Sequence, residues 1–403
     1  MPIRNRNVLI AGGGAAGPVL AHWLARHGFA PTVVERAPEP AAGGHLVEVS
    51  PQGMGVLDRM GVGERVRAEG GPLPDVHSYI SGRERPIVLP QGHVGAVAIR
   101  SGNLSRLLRD RAGDGVEYLF GDSVTSLDED ADGVDVGFAH APGRRFDLVV
   151  GADGPDSPVR RLVFGSDADG RVEHLDANLA AFEIDNHLGV SDVMMCRVWP
   201  YRGCVVTTFP GNDRLEVEFL MRNRTPAAPA EMDMEARYRF LEEVYGEDGW
   251  EVPGLLRAMR GADVRLAPST QVRLDVWSRG RTVLVGDAAH AADPMAGQGT
   301  ALALMGATAL AGELVFAEGD HERAYFSYEA SMRGTVREAQ SLGPALTRDY
   351  APEGSRGEVW LRERADAALL LGSRLMAQYG ARSGYEYVGD GFPADRYARV
   401  LSP

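Results

Sequence analysis

Residues 7–36 read NVLIAGGGAAGPVLAHWLARHGFAPTVVER, and their order decides the first part of the fold. Val8, Leu9 and Ile10 form an apolar run with β character, closed by three glycines. Gly12, Gly14 and Gly17 stand at G-x-G-x-x-G spacing, with Ala15 and Ala16 before the last of them. Val19, Leu20, Trp23 and Leu24 then suit a helix, and the run 32–34 delivers Glu35. Gly12 allows a tight strand-to-helix turn, Gly14 leaves room for a pyrophosphate, and Gly17 lets helix and strand approach closely. The helix N-terminus offers free N–H groups and a positive dipole end to that pyrophosphate. Glu35, eighteen residues beyond Gly17, can accept both hydroxyls of an adenosine ribose. A glycine turn alone says little, but strand, helix and acid together predict a dinucleotide site.

Composition narrows the rest. A chain of 403 residues that is 44% apolar is long enough for two domains or one large discontinuous one. A formal charge of −14 argues against binding nucleic acid through its phosphates and favours solubility. No uninterrupted apolar run approaches the roughly 18–20 residues of a membrane span, so no membrane association is expected. The opening MPIRNRN runs straight into the first strand, so no signal peptide is expected and a cytoplasmic location is. Cys196 and Cys204 match neither a zinc site nor a disulfide scaffold and read as thiols in a reduced compartment. The histidines do not cluster, so no protein-bound metal is expected. All 42 basic residues are arginine, which removes every mechanism that needs a lysine amine.

Along the chain, Ser50-Pro51 reads as the N-cap and first residue of a helix stopped by Gly61. Residues 76–80 and 86–89 suggest a hairpin around Ser81-Gly82, and Ser101 or Asn103 caps a helix over 104–110. Segments 116–120, 123–128, 134–138 and 146–150 read as strands. From about 178 to 220 the texture changes to short β runs separated by Gly, Pro, Asn and Asp, which predicts an antiparallel sheet. A helix over 232–245, strands over 272–276 and 282–285, and helices near 298–317, 320–340 and 356–378 complete the reading.

Two further stretches decide the kind of dinucleotide. Residues 151–160, GADGPDSPVR, follow a strand and place Asp153 beside a helix start capped by Ser157-Pro158. Residues 286–299 place Asp287 at another strand end, then His290, Pro294, Gly297 and Gly299 before a helix. A nicotinamide dehydrogenase has no use for this second acid-tipped strand and glycine loop. A flavin dinucleotide has: Asp287 can bond ribityl hydroxyls, and the helix start can face the pyrimidine edge of the ring.

The three motifs, in this order and at these separations, resemble the FAD-dependent aromatic hydroxylases, the group A flavoprotein monooxygenases typified by p-hydroxybenzoate hydroxylase. The neighbourhoods of Gly43-Gly44 and Met60-Gly61 look closest to the tetracycline-inactivating and natural-product-tailoring branch. The resemblance spans about residues 5 to 340. It implies an α/β fold: a discontinuous Rossmann-like FAD-binding domain (1–75, 99–177 and 277–340), an antiparallel β-sheet substrate domain (76–98 and 178–276) and a C-terminal helical segment (341–403).

The resemblance also implies roles. Gly12, Gly14, Ala15, Ala16 and Gly17 would hold the FAD pyrophosphate, Glu35 the ribose, with Arg36 against the adenine side. Gly44, Arg100 and Leu104 would contact FAD, Asp153 would support it, and Asp287 would bind the ribityl chain or pyrophosphate. Pro294, Gly297 and Gly299 would wall the ring. NADPH or NADH would reduce the flavin without a Rossmann domain of its own. O2 would then form a C4a-hydroperoxide that hydroxylates an aromatic or polycyclic small molecule, in a monomer or homodimer.

The chain departs from the family pattern in three places. Arg100 stands four rather than three residues before Leu104, Met305-Gly306-Ala307 replaces a familiar Asp-Ala pair, and no thioredoxin-like extension follows residue 340. No catalytic side chain is assigned. His45 could face flavin or substrate, whereas His290 reads as a local hydrogen-bonding residue. Arg197 and Arg202 could touch an acidic substrate but read more simply as solvated arginines, and Trp199, Tyr201 and Phe209 line either pocket or sheet core. A flavin halogenase is excluded by the absence of lysine and of a W-x-W-x-I-P segment. An oxidase or reductase of the same fold, or a non-catalytic flavin-binding protein, are the rival readings.

Overall fold

A computed structural model describes residues 3–40, 43–89, 95–165, 171–222, 232–365, 389 and 392–398. The first apolar run becomes strand Asn7–Ala11, inside a six-stranded sheet. Across that sheet lie Ser278–Arg279, Thr282–Leu284, Leu148–Gly151, Asn7–Ala11, Ala30–Glu35 and Glu117–Phe120. All pair in parallel except Ser278–Arg279. Val8, Leu9, Ile10, Leu148, Val149 and Val150 have no exposed surface, as parallel strands covered on both faces require.

Helix Gly299–Phe316 packs against helix Ala16–Arg26 in the same core. It is long and apolar enough to cross a membrane, but 78% of it is buried inside the fold, which makes it a core helix.

The predicted antiparallel sheet has seven strands, in the order Arg265–Val272, Val172–Asp185, Arg214–Arg222, Arg202–Thr208, Val193–Trp199, Asp75–Tyr79 and Ile87–Leu89. One neighbouring pair, Val193–Trp199 with Asp75–Tyr79, is parallel. Register decides what each face carries. Phe182, Val217, Phe219 and Cys204 turn toward helices Met234–Tyr245 and Val252–Met259 and form a second core. Glu183 stands opposite Glu216, and Ala181 opposite Glu218, so these acids share the other face. That face looks at the nucleotide half: Arg100 bonds Glu183, and the Leu46 N–H donates to Glu216 at 2.8 Å.

Three local expectations are corrected. The strand expected at 272–276 lies at Arg265–Val272, paired with Val172–Asp185 as far as Val172 opposite Val272; one more backbone bond, from the Arg273 N–H to the Arg171 carbonyl at 2.9 Å, follows beyond the strand end. Neither Ser101 nor Asn103 caps the next helix; Ser101 is its first residue, and its hydroxyl lies 3.3 Å from His45 Nδ1 instead. The helix expected to stop near 340 runs from His321 to Tyr350 through Pro344. Proline leaves the carbonyl four residues earlier without its helical donor. That carbonyl, on Gln340, accepts from Gln271 Nε2 at 2.7 Å, so the interruption costs no hydrogen bond. Residues 356–365 are helical, while 366–378 lie outside the described residues.

Candidate functional site

Two glycines of the first corner stand where only a glycine fits. Gly12 has φ +113°, and a Cβ there would lie 2.2 Å from the Ala152 carbonyl oxygen. A Cβ on Gly17 would sit 1.9 Å from the Gly12 carbonyl oxygen. Both positions are closed by backbone. At Gly14, in contrast, a Cβ would meet no protein atom within 4 Å. Helix Ala16–Arg26 starts behind it from Ala15, with no side-chain cap and no acid in its first turn. Open space in front of uncapped N–H groups fits a pyrophosphate.

Glu35 lies alongside this cradle. Its Oε2 accepts from the Gly13 N–H at 2.6 Å and its Oε1 from the Ala37 N–H at 2.8 Å. A carboxylate has about four acceptor sites, so capacity for ribose hydroxyls remains. Arg36 is exposed beside it.

The second corner is differently disposed. The Asp153 carboxylate accepts from the Ser157 hydroxyl and from the Val159 N–H at 3.0 Å, and Ser157 Oγ accepts from the Arg160 N–H at 2.9 Å. Burial pushes the Asp153 pKa up, while the Ser157 and Val159 bonds oppose that shift. Arg160, whose role the sequence reading left open, is 1% exposed and reaches across to the third motif. Its Nη2 donates to the Pro155 carbonyl at 2.6 Å and its Nη1 to the Ala288 carbonyl at 3.0 Å. The signal was its position in GADGPDSPVR, next to a cap rather than on the surface.

At the third corner Asp287 opens a short helix, Asp287–His290. No hydrogen-bond partner for its carboxylate occurs among the described residues, and burial raises its pKa. A Cβ on Gly299 would lie 3.6 Å from its Oδ1, so the acid borders the start of the next helix, which has no side-chain cap. Pro294 and Gly297 are exposed on the intervening loop. The half-buried carboxylate keeps its acceptor sites free for ligand hydroxyls. His290 is 1% exposed, with Nε2 3.4 Å from the Tyr328 hydroxyl, and burial lowers its pKa to about 4. It is a core residue, and its side-chain neighbour Tyr328 is distant in sequence rather than local.

Other expected contacts lie at the junction of the two sheets. Arg100 makes a bidentate pair with Glu183 (2.6 and 2.9 Å), reaches the Gly44 carbonyl at 3.3 Å, and lies 3.7 Å over the Phe209 ring. Gly44, at φ +88°, leaves no room for a side chain against Ser101 Oγ. Leu104 is 2% exposed and turns its side chain into the core. His45 lies 2.6 Å from Arg265 Nη1 through its Nδ1, and burial with the Arg265 charge lowers its pKa to about 4. It is therefore a neutral ring at pH 7, accepting at Nδ1 and carrying its proton on Nε2.

Behind it Arg265 also reaches Glu216 at 3.3 Å. Burial, then the Glu218 charge, raises Glu216 to about 8; burial also raises Glu218, and lifts Glu48 on the facing strand Leu46–Val49 to about 7. These acids were missed because their shared face depends on register.

The arginines read as solvated are not. Arg202 is paired with Asp248 (2.6 and 2.8 Å), and Arg197 donates to the Tyr79 carbonyl at 2.9 Å and the Ser81 hydroxyl at 2.7 Å. Trp199 packs with Tyr245 and Trp250 in the second core. Cys196 and Cys204 are free and buried, and the register puts them on opposite faces.

An open glycine cradle and an unpartnered acid, each at a strand end beside a helix start, suit a flavin nucleotide. The family model for an FAD binding domain matches residues 5–335, and the chain belongs to that family. An uncharacterized protein of Mycobacterium tuberculosis, Rv1260, is 35% identical over 356 residues, covering 84% of this chain and 92% of that protein. The flavin-dependent monooxygenase of Legionella longbeachae is 29% identical over 374 residues, covering 91% and 95%. The crystal structure of tetracycline destructase Tet(55) aligns with a TM-score of 0.78 at 28% identity, covering 92% of this chain and 97% of that one. Within its family, then, the chain is an FAD-dependent monooxygenase of the group A type.

Proposed function

We propose that this protein uses NADPH or NADH and O2 to hydroxylate an aromatic or polycyclic small molecule held between the two sheets. The observation that carries the reading is the pairing of an open cradle at Gly14 with an unpartnered carboxylate at Asp287. Bound FAD, reduced by the nicotinamide nucleotide, would activate O2 and deliver one oxygen atom to an electron-rich carbon.

The chain's own residues bind, orient and exclude water. Gly12, Gly14, Ala15, Ala16 and Gly17 would seat the pyrophosphate, Glu35 the ribose with Arg36 toward the adenine, and Asp287 the ribityl hydroxyls. Asp153 would set the second corner, and Pro294, Gly297 and Gly299 would border the ring. Gly44 and Arg100 close the junction with the sheet, and Leu104 supports them from the core. Substrate would rest on the face carrying Glu216 and Glu218, with 76–98 and 178–276 as the substrate domain and 1–75, 99–177 and 277–340 as the FAD-binding domain. Confinement there keeps water from the reacting carbon.

The test is direct. Protein supplied with FAD should turn yellow, consume NADPH or NADH faster when a suitable ring compound is added, and place one atom of labelled O2 in the product. Ligand-stimulated consumption without label in product would assign an oxidase or reductase instead. A colourless preparation with no affinity for FAD would end the reading.

A further inference from the structure

Two residues that break local rules meet behind the loop 294–299. Asp293 has φ +89° and ψ 133°, a region natural to glycine and strained for any residue with a Cβ. The following Pro294 explains the ψ value, since residues before proline favour extended ψ; it does not explain the sign of φ. Gly343 is the second, a glycine inside helix His321–Tyr350 where alanine would be the better helix former. A Cβ on Gly343 would lie 2.6 Å from Asp293 Oδ2. The helix therefore gives up a side chain where the loop keeps one. Departures from local preference that coincide in space mark positions held for another purpose.

The Asp293 side chain supplies that purpose. It is 4% exposed, and its Oδ1 accepts from the Ser269 hydroxyl at 2.6 Å and from the Met295 N–H at 3.2 Å. Ser269 belongs to strand Arg265–Val272 of the seven-stranded sheet, so one carboxylate oxygen ties the substrate sheet to the glycine loop. Oδ2 has no partner. Burial raises the acid to about 6, against the Ser269 and Met295 bonds. The approach to the loop is also held: Gln271 Nε2 donates to the Ala292 carbonyl at 3.1 Å, and Gln340 Nε2 to the Ala291 carbonyl at 3.3 Å.

We propose that Asp293 is a positioning residue for the flavin: bonded to Ser269 outside the loop and Met295 within it, and strained at its own backbone, it holds residues 294–299 in the shape that receives the ring before FAD arrives. The proposal rests on the FAD reading above. Glycine at 293 would relax the backbone and release the loop, so Asp293→Gly separates the clamp from mere stability. Binding is measured by FAD titration, stability by melting of the FAD-free protein, and ring environment by the visible spectrum.

Asp293→Gly is expected to melt within a few degrees of wild type while binding FAD about tenfold or more weakly, with a spectrum closer to free flavin. Asp293→Asn keeps the Oδ1 acceptor and is expected to bind within about threefold of wild type. Ser269→Ala, which leaves the loop's own sequence intact, is expected to weaken FAD by about threefold to tenfold, and carries the test if the glycine variant does not fold. Wild-type affinity and spectrum in Asp293→Gly, or in Ser269→Ala, would overturn the proposal. So would an Asp293→Asn protein as impaired as the glycine variant. Wild-type protein that binds no FAD would instead overturn the reading on which the proposal stands.

Discussion

The corners at Gly12–Gly17 and at Asp153–Arg160 are made from the same parts, a buried strand, a glycine turn, an acid and a helix start, and they use them in opposite ways. At the first, helix Ala16–Arg26 begins uncapped and the space at Gly14 is open. At the second, Ser157 and Asp153 occupy the N–H groups of Arg160 and Val159, and helix Pro158–Phe164 needs no ligand. Helix ends are satisfied by side chains, water or ligands. One corner is finished by its own chain; the other would be finished by a ligand. Asp287 extends the first pattern, as a half-buried acid with no hydrogen-bond partner among the described residues.

The contrast is broken most severely by adding methyl groups to the first corner. Gly17→Ala places a Cβ 1.9 Å from the Gly12 carbonyl, and should cost about 3 kcal/mol or more, seen as failed folding or a large drop in Tm. Gly14→Ala meets nothing in the protein; its Tm without FAD should change little, while FAD affinity falls by about tenfold to a hundredfold. Should both variants lose the same stability, the open cradle is not a ligand site.

Asp287→Asn should weaken FAD by about tenfold and leave the FAD-free protein as stable or more so, because it removes a half-buried charge that no described residue satisfies. Equal FAD affinity in titration would sink this assignment. Ser157→Ala should do the reverse, costing about 1 kcal/mol in denaturant unfolding and leaving FAD affinity unchanged.

The smallest effect concerns pH. Glu216, lifted to about 8 by burial and then by Glu218, holds its proton more firmly folded than unfolded, where an ordinary carboxyl titrates near 4.5. The folded state therefore binds more protons across that interval, and its stability falls as pH rises from about 4.5 toward 8. Glu216→Gln should flatten the Tm–pH curve between pH 5 and 8; an unchanged slope would locate the protons elsewhere.

Much of this was readable because it is local. The glycine spacing, the distance to Glu35, the Ser50 and Ser157 caps and the hairpin at Ser81-Gly82 each depend on neighbours along the chain. Arg100 shows where that stops: its place before a helix was legible, but its bidentate grip on Glu183 joins residues 83 apart. The same holds for the long helix, which crosses Pro344 only because Gln271 replaces the missing donor.

By itself the sequence determined the nucleotide corner, the alternation of helix and parallel strand, and the presence of a second β-rich region, since these follow from backbone preference and short-range periodicity. Tertiary structure alone decided which acids share a face, which helix start stays open and which aspartate bends the loop. Register and burial are properties of strands meeting across distance, and a one-residue slip would send Glu216 and Glu218 into the opposite core.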